Sequence, residues 1–233
     1  MGPFTLRGCE EMDIITPEKA NELYWLGRYV ERVHTTIREF FKGYDRMIDE
    51  ASDSHAEFCY RMTIPNVYPT KEDFLRNYPF DESNPDSIVS NLLRAYDNAI
   101  VLRDEIGTET LSYVQLAVYE IRKASISVAP LIQMQNVIDY LFAFWGCLDD
   151  SVANEAKRSI VKAGRRAERL DLHLRFGMGA SVLRVDLIRL RSRLAKAGIE
   201  VDPADLDRLD EMVNAPRIPY HDAIRLVEGM IDI

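Results

Sequence analysis

Cysteine is scarce in this chain of 233 residues and occurs only as Cys9, Cys59 and Cys147. The number is odd, and the wide spacing gives no pair at the distance typical of a metal-binding or redox motif. A disulfide framework is therefore not predicted. The thiols are expected to be reduced, as in a cytoplasmic protein.

A long apolar run is also lacking. The most apolar stretch, residues 137–148, contains Asp139 and is followed by two more aspartates, so it is too short to span a bilayer. We expect a buried core helix there and no contact with a membrane. Three acids within residues 10–13 replace the basic and apolar regions of a signal peptide. The chain is therefore expected to be cytoplasmic.

Basic residues are outnumbered, with 29 Lys and Arg against 38 Asp and Glu and a formal net charge of −9. Because neutralising phosphates requires clustered Lys and Arg, nucleic acid is not an expected partner. The most basic stretch, residues 184–196, is interrupted by Asp186 and is typical of a solvated helix face.

Familiar catalytic signatures are missing too. The sequence has no Gly-x-Ser-x-Gly elbow, no cysteine beside a well-placed histidine and no glycine loop that would cradle a phosphate. We therefore predict no cofactor and no ATP binding by this chain itself. Four aromatic residues that could line a pocket are expected to be core residues because of their helical spacing, namely Tyr24, Trp25, Tyr29 and Trp145.

Helical periodicity runs through most of the chain and no strand pattern is convincing. Thr16-Pro17-Glu18 predicts the start of a long first helix that ends near residue 51. Residues 52–85 are predicted as mostly loop with a short helix after Thr70. Residues 84–87 begin the next helix, and the rest follow from about 108, 130, 151, 180, 203 and 220. The prediction is an all-α, multi-helix bundle in one domain, residues 1–233, with 1–15 as a flexible segment.

A repeated motif is the most informative pattern. Gly-Arg-Tyr-Val-Glu-Arg at 27–32 recurs as Gly-Arg-Arg-Ala-Glu-Arg at 164–169. Arg, Glu and Arg at positions i, i+3 and i+4 share one helical face, where a carboxylate can reach two guanidinium groups. Glycine inside a helix costs about 0.5–1 kcal/mol relative to alanine, so the two glycines indicate a close helix crossing.

If the two motif helices cross there, each glutamate would face two arginines of the other helix. Glu168 would meet Arg28 and Arg32, and Glu31 would meet Arg165 and Arg169. This pseudo-twofold cluster has two interpretations. It is either a structural polar core or, through its surplus of arginine, a site for a carboxylate or phosphate.

The stretch Ala20-Asn21-Glu22-Leu23-Tyr24-Trp25-Leu26 before the first motif resembles the opening of the bacterial alpha-E family. Residues 84–88, 98–99, 102–106 and Glu109 resemble the middle of that family in the same order, and residues 164–169 its second Glu-Arg motif. The resemblance covers about residues 17–176. It implies an all-helical domain whose biochemical activity is not established.

The same resemblance implies partners. The family's genes lie beside those of a circularly permuted ATP-grasp protein and a transglutaminase-like protein, which implies an accessory role in making or modifying peptide bonds. We therefore expect a non-catalytic binding or scaffold protein with an ATP-grasp-type ligase and a transglutaminase-like protein as partners, and an anionic peptide or phosphate as ligand. The candidate binding residues are Arg28, Glu31, Arg32, Arg38, Arg103, Glu109, Arg165, Glu168, Arg169 and Arg175.

Two alternatives stay open. One is an enzyme that uses Glu31 or Glu168 as acid or base on a peptide or acyl-phosphate substrate. The other is a metal site, because Glu31 and His34 have the Glu-x-x-His spacing of di-iron bundles. Adjacent arginines oppose a cation, and the second copy has Asp171 in place of histidine. A carboxylate there could still be a ligand, but no metal is predicted, and Glu31 and His34 are named as the candidate ligands.

Overall fold

The computed structural model describes residues 15–49 and 54–231, and it describes side chains for 15–44 and 55–231. These ranges contain eleven α-helices, a 3-10 turn and no strand, which confirms the predicted all-α fold. The predicted flexible segment, residues 1–15, lies outside the described residues except for Ile15. The helices are α1 (Pro17–Asp49), α2 (Ser54–Met62), α3 (Lys71–Asn77), α4 (Ile88–Val101), α5 (Arg103–Ile106), α6 (Thr108–Ser125), α7 (Pro130–Ser151), α8 (Glu155–Arg175), α9 (Ala180–Ala197), α10 (Pro203–Asn214) and α11 (Tyr220–Gly229).

Capping side chains set several helix starts. The hydroxyl of Ser87 accepts a hydrogen bond from the backbone N–H of Ser90 at 3.1 Å, so α4 begins at Ile88. Asn154 accepts in the same way from Lys157 at 3.1 Å and begins α8. Because of this cap, α8 starts at Glu155, so the predicted helix is present but begins four residues later than the expected start near residue 151.

The predicted loop over residues 52–85 contains one more helix than expected. α2 precedes all the prolines of this region and buries Phe58, Cys59 and Met62 on one face. The prediction gave weight to the prolines and missed the short amphipathic run before them. The short helix expected after Thr70 is confirmed as α3.

The two motif helices lie at the centre of the molecule. α1 packs against α8 and α4, α6 and α7 form a helical hairpin, and α9 and α11 pack on α8. Buried apolar side chains from these helices form a connected core. The largest fully buried ones include Leu26, Ile37, Phe40, Phe74, Tyr78, Leu92 and Phe144.

The expectations about membrane-spanning helices and about the cysteines can be compared with the structure. In the described ranges, no helix combines the length and the hydropathy that crossing a bilayer requires. Cys59 and Cys147 are free thiols, as expected, and Cys9 lies outside those ranges.

Candidate functional site

Two glycines bring the backbones of α1 and α8 into direct contact. A Cβ atom added to Gly27 would lie 1.9 Å from the carbonyl oxygen of Val161, and one added to Gly164 would lie 2.0 Å from that of Tyr24. Each glycine thus faces the residue three positions before the other glycine. Lys19 near the start of α1 and Lys157 near the start of α8 both pair with Glu105, so the two helices begin at the same end and run parallel.

The crossing places each glutamate between two arginines of the other helix. Arg28 donates from Nε to Glu168 at 2.7 Å, and Arg32 donates from Nε to the second oxygen of the same carboxylate. Glu31 accepts in the equivalent way from Arg165 at 3.0 Å and Arg169 at 2.6 Å. The predicted pseudo-twofold pairing is confirmed, and the adjacent Glu and Arg of each motif bond across the helices rather than to each other.

Both carboxylates are completely buried. Burial by itself would raise the pKa of Glu31, but His34, Arg169 and Arg165 hold it well below its usual range. Burial likewise acts to raise the pKa of Glu168, but the charges and hydrogen bonds of Arg32 and Arg28 outweigh it. The net result is a pKa below the ordinary value. Both side chains therefore stay ionised at neutral pH, and neither is exposed to a substrate.

The surroundings of the cluster break its symmetry. On the α8 side, the guanidinium of Arg165 lies 4.1 Å from the ring centre of Trp145, a buried residue of α7. On the α1 side, Arg28 lies 4.9 Å from the ring centre of Trp25, which is partly exposed. Trp145 is therefore a core residue as predicted, whereas Trp25 borders solvent.

An open cavity of about 410 Å³ lies on the α1 side of the cluster. We call it the arginine cavity. Burial raises the pKa of Tyr24 to about 12 against the effect of Arg28, so the Tyr24 hydroxyl stays neutral. Sequence reasoning missed the cavity because two of its residues lie on or beyond α11. Its lining consists of Asn21, Tyr24, Trp25, Arg28, Arg32, Glu228 and Ile231.

Arg175 links the motif helix α8 to α11. Its Nε donates to Asp171 at 2.9 Å, and its two Nη atoms donate to Thr63 at 2.6 Å and Glu228 at 2.5 Å. Burial and then the charge of Glu168 raise the pKa of Asp171, although Arg175 lowers it. Arg175 thus holds Glu228 at the edge of the arginine cavity.

Three of the predicted binding residues lie outside the cluster. Arg38 is exposed on α1, almost two turns beyond Glu31. Arg103 is exposed at the start of α5, where it lies 3.9 Å from Asp104. Glu109 is exposed in the first turn of α6, where an acid favours the positive end of the helix dipole. Their assignment to the arginine and glutamate cluster is wrong, because the helices that carry them do not bring them to the crossing.

The candidate metal ligands Glu31 and His34 are adjacent, but no third ligand-type side chain of the described residues groups with them. Nδ1 of His34 lies 3.6 Å from Oε1 of Glu31, and that oxygen also accepts from Arg169. Over residues 15–49 and 54–231, no three His, Cys, Asp or Glu side chains come together in a group that could hold a metal ion.

A second cavity, of about 510 Å³, lies away from the motifs. Phe40 and Tyr44 of α1, Leu75 of α3 and Met134 of α7 form much of its apolar wall, with Arg76 also in the lining. None of the predicted binding residues lines it.

The fold and the crossing together define an all-helical protein organised around two reciprocal Glu-Arg motifs. The family model for alpha-E, described as a predicted alpha-helical domain with a conserved ER motif, matches residues 17–196. The chain therefore belongs to the alpha-E family. Comparisons with curated proteins and with solved structures gave no match.

Proposed function

We propose that this alpha-E protein is a non-catalytic binding protein and that the arginine cavity is its ligand site. The supporting observation is that Arg28 and Arg32 both line the cavity while bonding to Glu168 through Nε alone. In this proposal, their Nη groups are the donors to the ligand. Guanidinium groups of this kind bind carboxylate or phosphate oxygens in pairs.

The charge of the whole cluster favours an anion. Six guanidinium groups lie in or next to it, against four carboxylates. Burial and the nearby Arg165 and Arg169 lower the pKa of Arg166 only to about 10, so it too is charged at neutral pH. The residues counted are Arg28, Arg32, Arg165, Arg166, Arg169 and Arg175, with Glu31, Glu168, Asp171 and Glu228.

The alternative of an enzyme has less support. Acid or base catalysis by Glu31 or Glu168 requires contact with substrate, and neither side chain is exposed. Each already accepts hydrogen bonds from two arginines. A substrate would have to separate α1 from α8 to reach either carboxylate.

We also propose that the protein is an accessory component of a system that makes or modifies peptide bonds. Its partners would be an ATP-grasp-type ligase and a transglutaminase-like protein, as the gene neighbourhoods of the family suggest. An anionic peptide or a phosphate is a ligand that such a system contains.

Calorimetric titration with N-acetylglycine and with inorganic phosphate tests the ligand site. We expect the wild-type chain to bind at least one of them and Arg32→Gln to bind it about tenfold more weakly, through loss of a paired donor. Arg38→Gln, exposed on the same helix, is the matched control and should bind like the wild type. Should Arg32→Gln misfold, Arg32→Lys is the second variant. It keeps a positive charge beside Glu168 but loses the paired N–H donors of the guanidinium group.

The proposal of a ligand site fails if the wild type binds neither these anions nor a peptide with a free carboxylate, or if both Arg32 variants bind as the wild type does. The proposed accessory role has its own test, co-expression with the two partner proteins followed by size-exclusion chromatography. Elution of the chain apart from both partners would refute it.

A further inference from the structure

We propose that the arginine cavity takes a zwitterion, an amino acid or short peptide whose carboxylate lies on Arg28 and Arg32 and whose ammonium group lies on Glu228. This inference rests on the proposed function, because it names the class of ligand for the same site. It goes further in assigning a second, cation-binding wall to the cavity.

The two walls of the cavity carry opposite charges. α1 contributes Arg28 and Arg32, and α11 contributes the carboxylate of Glu228. The side chain of Glu228 is 49% exposed, so a ligand in the cavity can reach it. A carboxylate on one side and guanidinium groups on the other match the two ends of a zwitterion.

A simple anion fits this arrangement less well. Glu168 already neutralises part of the charge of Arg28 and Arg32, and a second acid, Glu228, lies in the cavity wall. A bare phosphate would gain from the arginines but would be repelled by Glu228. A ligand that also carries an ammonium group turns that repulsion into an attraction.

The position of Glu228 is fixed by neighbours rather than left to solvent. Arg175 donates to it at 2.5 Å while also bonding to Asp171 and Thr63. One carboxylate can accept several hydrogen bonds, so Glu228 can bind an ammonium group and keep Arg175. Glu228 also lies beyond residues 17–196, the part that the family model covers.

The remaining lining suits the organic part of such a ligand. Tyr24, Trp25 and Ile231 give the cavity apolar and aromatic surface, and Asn21 adds an amide. A volume of about 410 Å³ is within the range of small-molecule sites, about 300–1,000 Å³. The cavity therefore fits an amino acid or a dipeptide.

The experiment titrates the full chain with the dipeptide Gly-Phe, its N-acetyl derivative, its C-terminal amide and inorganic phosphate. We expect Gly-Phe to bind about tenfold more tightly than each blocked form, since each lacks one charged contact. In Glu228→Gln, the advantage of Gly-Phe over N-acetyl-Gly-Phe should disappear while binding of the N-acetyl form is retained. Glu211→Gln, on an exposed acid of α10 that lies outside the cavity, is the matched control.

The possible results separate this inference from the proposed function. Equal binding of Gly-Phe and its N-acetyl derivative, or an unchanged preference in Glu228→Gln, would overturn the zwitterion while leaving an anion site in place. Binding of phosphate alone would do the same. Failure of all four probes to bind would overturn both.

Discussion

The carbonyl oxygen of Val161 occupies the space that the Cβ atom of any other residue would need at position 27. The distance from that oxygen to the ideal Cβ position on Gly27 is 1.9 Å, well inside van der Waals contact. The equivalent pair, Gly164 and Tyr24, gives 2.0 Å. Since both obstacles are backbone atoms, no change of rotamer relieves them, and the helices must move apart to admit a methyl group.

Gly27→Ala is therefore expected to destabilise the protein by about 3 kcal/mol, the upper part of the range for overpacking. Gly146→Ala is the matched control, because Gly146 lies in α7 with no atom within 4 Å of its added Cβ. This control should gain about 0.5–1 kcal/mol from helix propensity. Urea unfolding followed by circular dichroism measures both, and a similar midpoint for the two variants would contradict the backbone contact.

Glu168→Gln should cost about 3–5 kcal/mol, because it leaves buried Arg28 and half-buried Arg32 without their carboxylate. Glu31→Gln should have a similar cost, since the pairing is reciprocal. Glu57→Gln removes an exposed pair with Arg61 and should change stability by less than about 1 kcal/mol. If denaturant unfolding gave the same loss of unfolding free energy for all three variants, the buried ion pairs would contribute no more to stability than the exposed one.

The stability of the protein should fall in acid because of Glu31 and Glu168. The pKa of each is lower in the folded chain than its ordinary value of 4.5, so the unfolded chain binds more protons as the pH falls. Their stabilising effect is complete above that value and is lost as the pH drops towards their folded pKa. Asp171, whose pKa is raised above 3.8, acts in the opposite direction.

The free-energy difference between wild type and Glu31→Gln should therefore narrow as the pH is lowered from about 7 to about 3. Thermal or urea unfolding over this range measures it. A difference that stays constant would mean that Glu31 is not held ionised by its partners.

Cys59 should resist alkylation in the native protein. It is buried, and burial raises the pKa of its thiol to about 11, so little thiolate forms near neutral pH. Cys147 is partly exposed at the α6 and α7 hairpin and lies 3.3 Å from the hydroxyl of Thr110. Iodoacetamide followed by peptide mass spectrometry should label Cys147 before Cys59, and denaturant should remove the difference. Preferential native labelling of Cys59 would argue against the placement of α2.

The crossing of α1 and α8 was predictable because the motif that specifies it is short and occurs in both helices. The fixed spacing of one glycine, one glutamate and two arginines indicates which helix face is polar and where the two backbones approach each other. Given two such faces, the pairing of Glu31 and Glu168 with arginines of the opposite helix follows from charge alone. The same reasoning failed for Arg38, Arg103 and Glu109, because matching charge does not tell which residues face the crossing.

The arginine cavity was not predictable in this way. Its second wall comes from Glu228 and Ile231, which lie at or beyond the end of α11 and carry no repeated pattern. Arg165 is covered by Trp145 of α7, whereas Arg28 lies against Trp25 of its own helix. The sequence positions of the two tryptophans do not indicate which one is buried. The cavity arises from tertiary packing that differs on the two sides of a nearly symmetrical centre.

The reciprocal pairing also fixes how far one helix can slide along the other. If α8 were displaced by four residues so that Glu31 met positions 161 and 165, Val161 would replace a guanidinium partner, and Glu168 would meet Arg32 and Thr36. Both carboxylates would lose one of their two arginines in the same step, and each glycine would lose its place opposite the other helix. The opposite displacement has the same kind of cost. The repeat therefore specifies the register of two helices that lie more than a hundred residues apart in the chain.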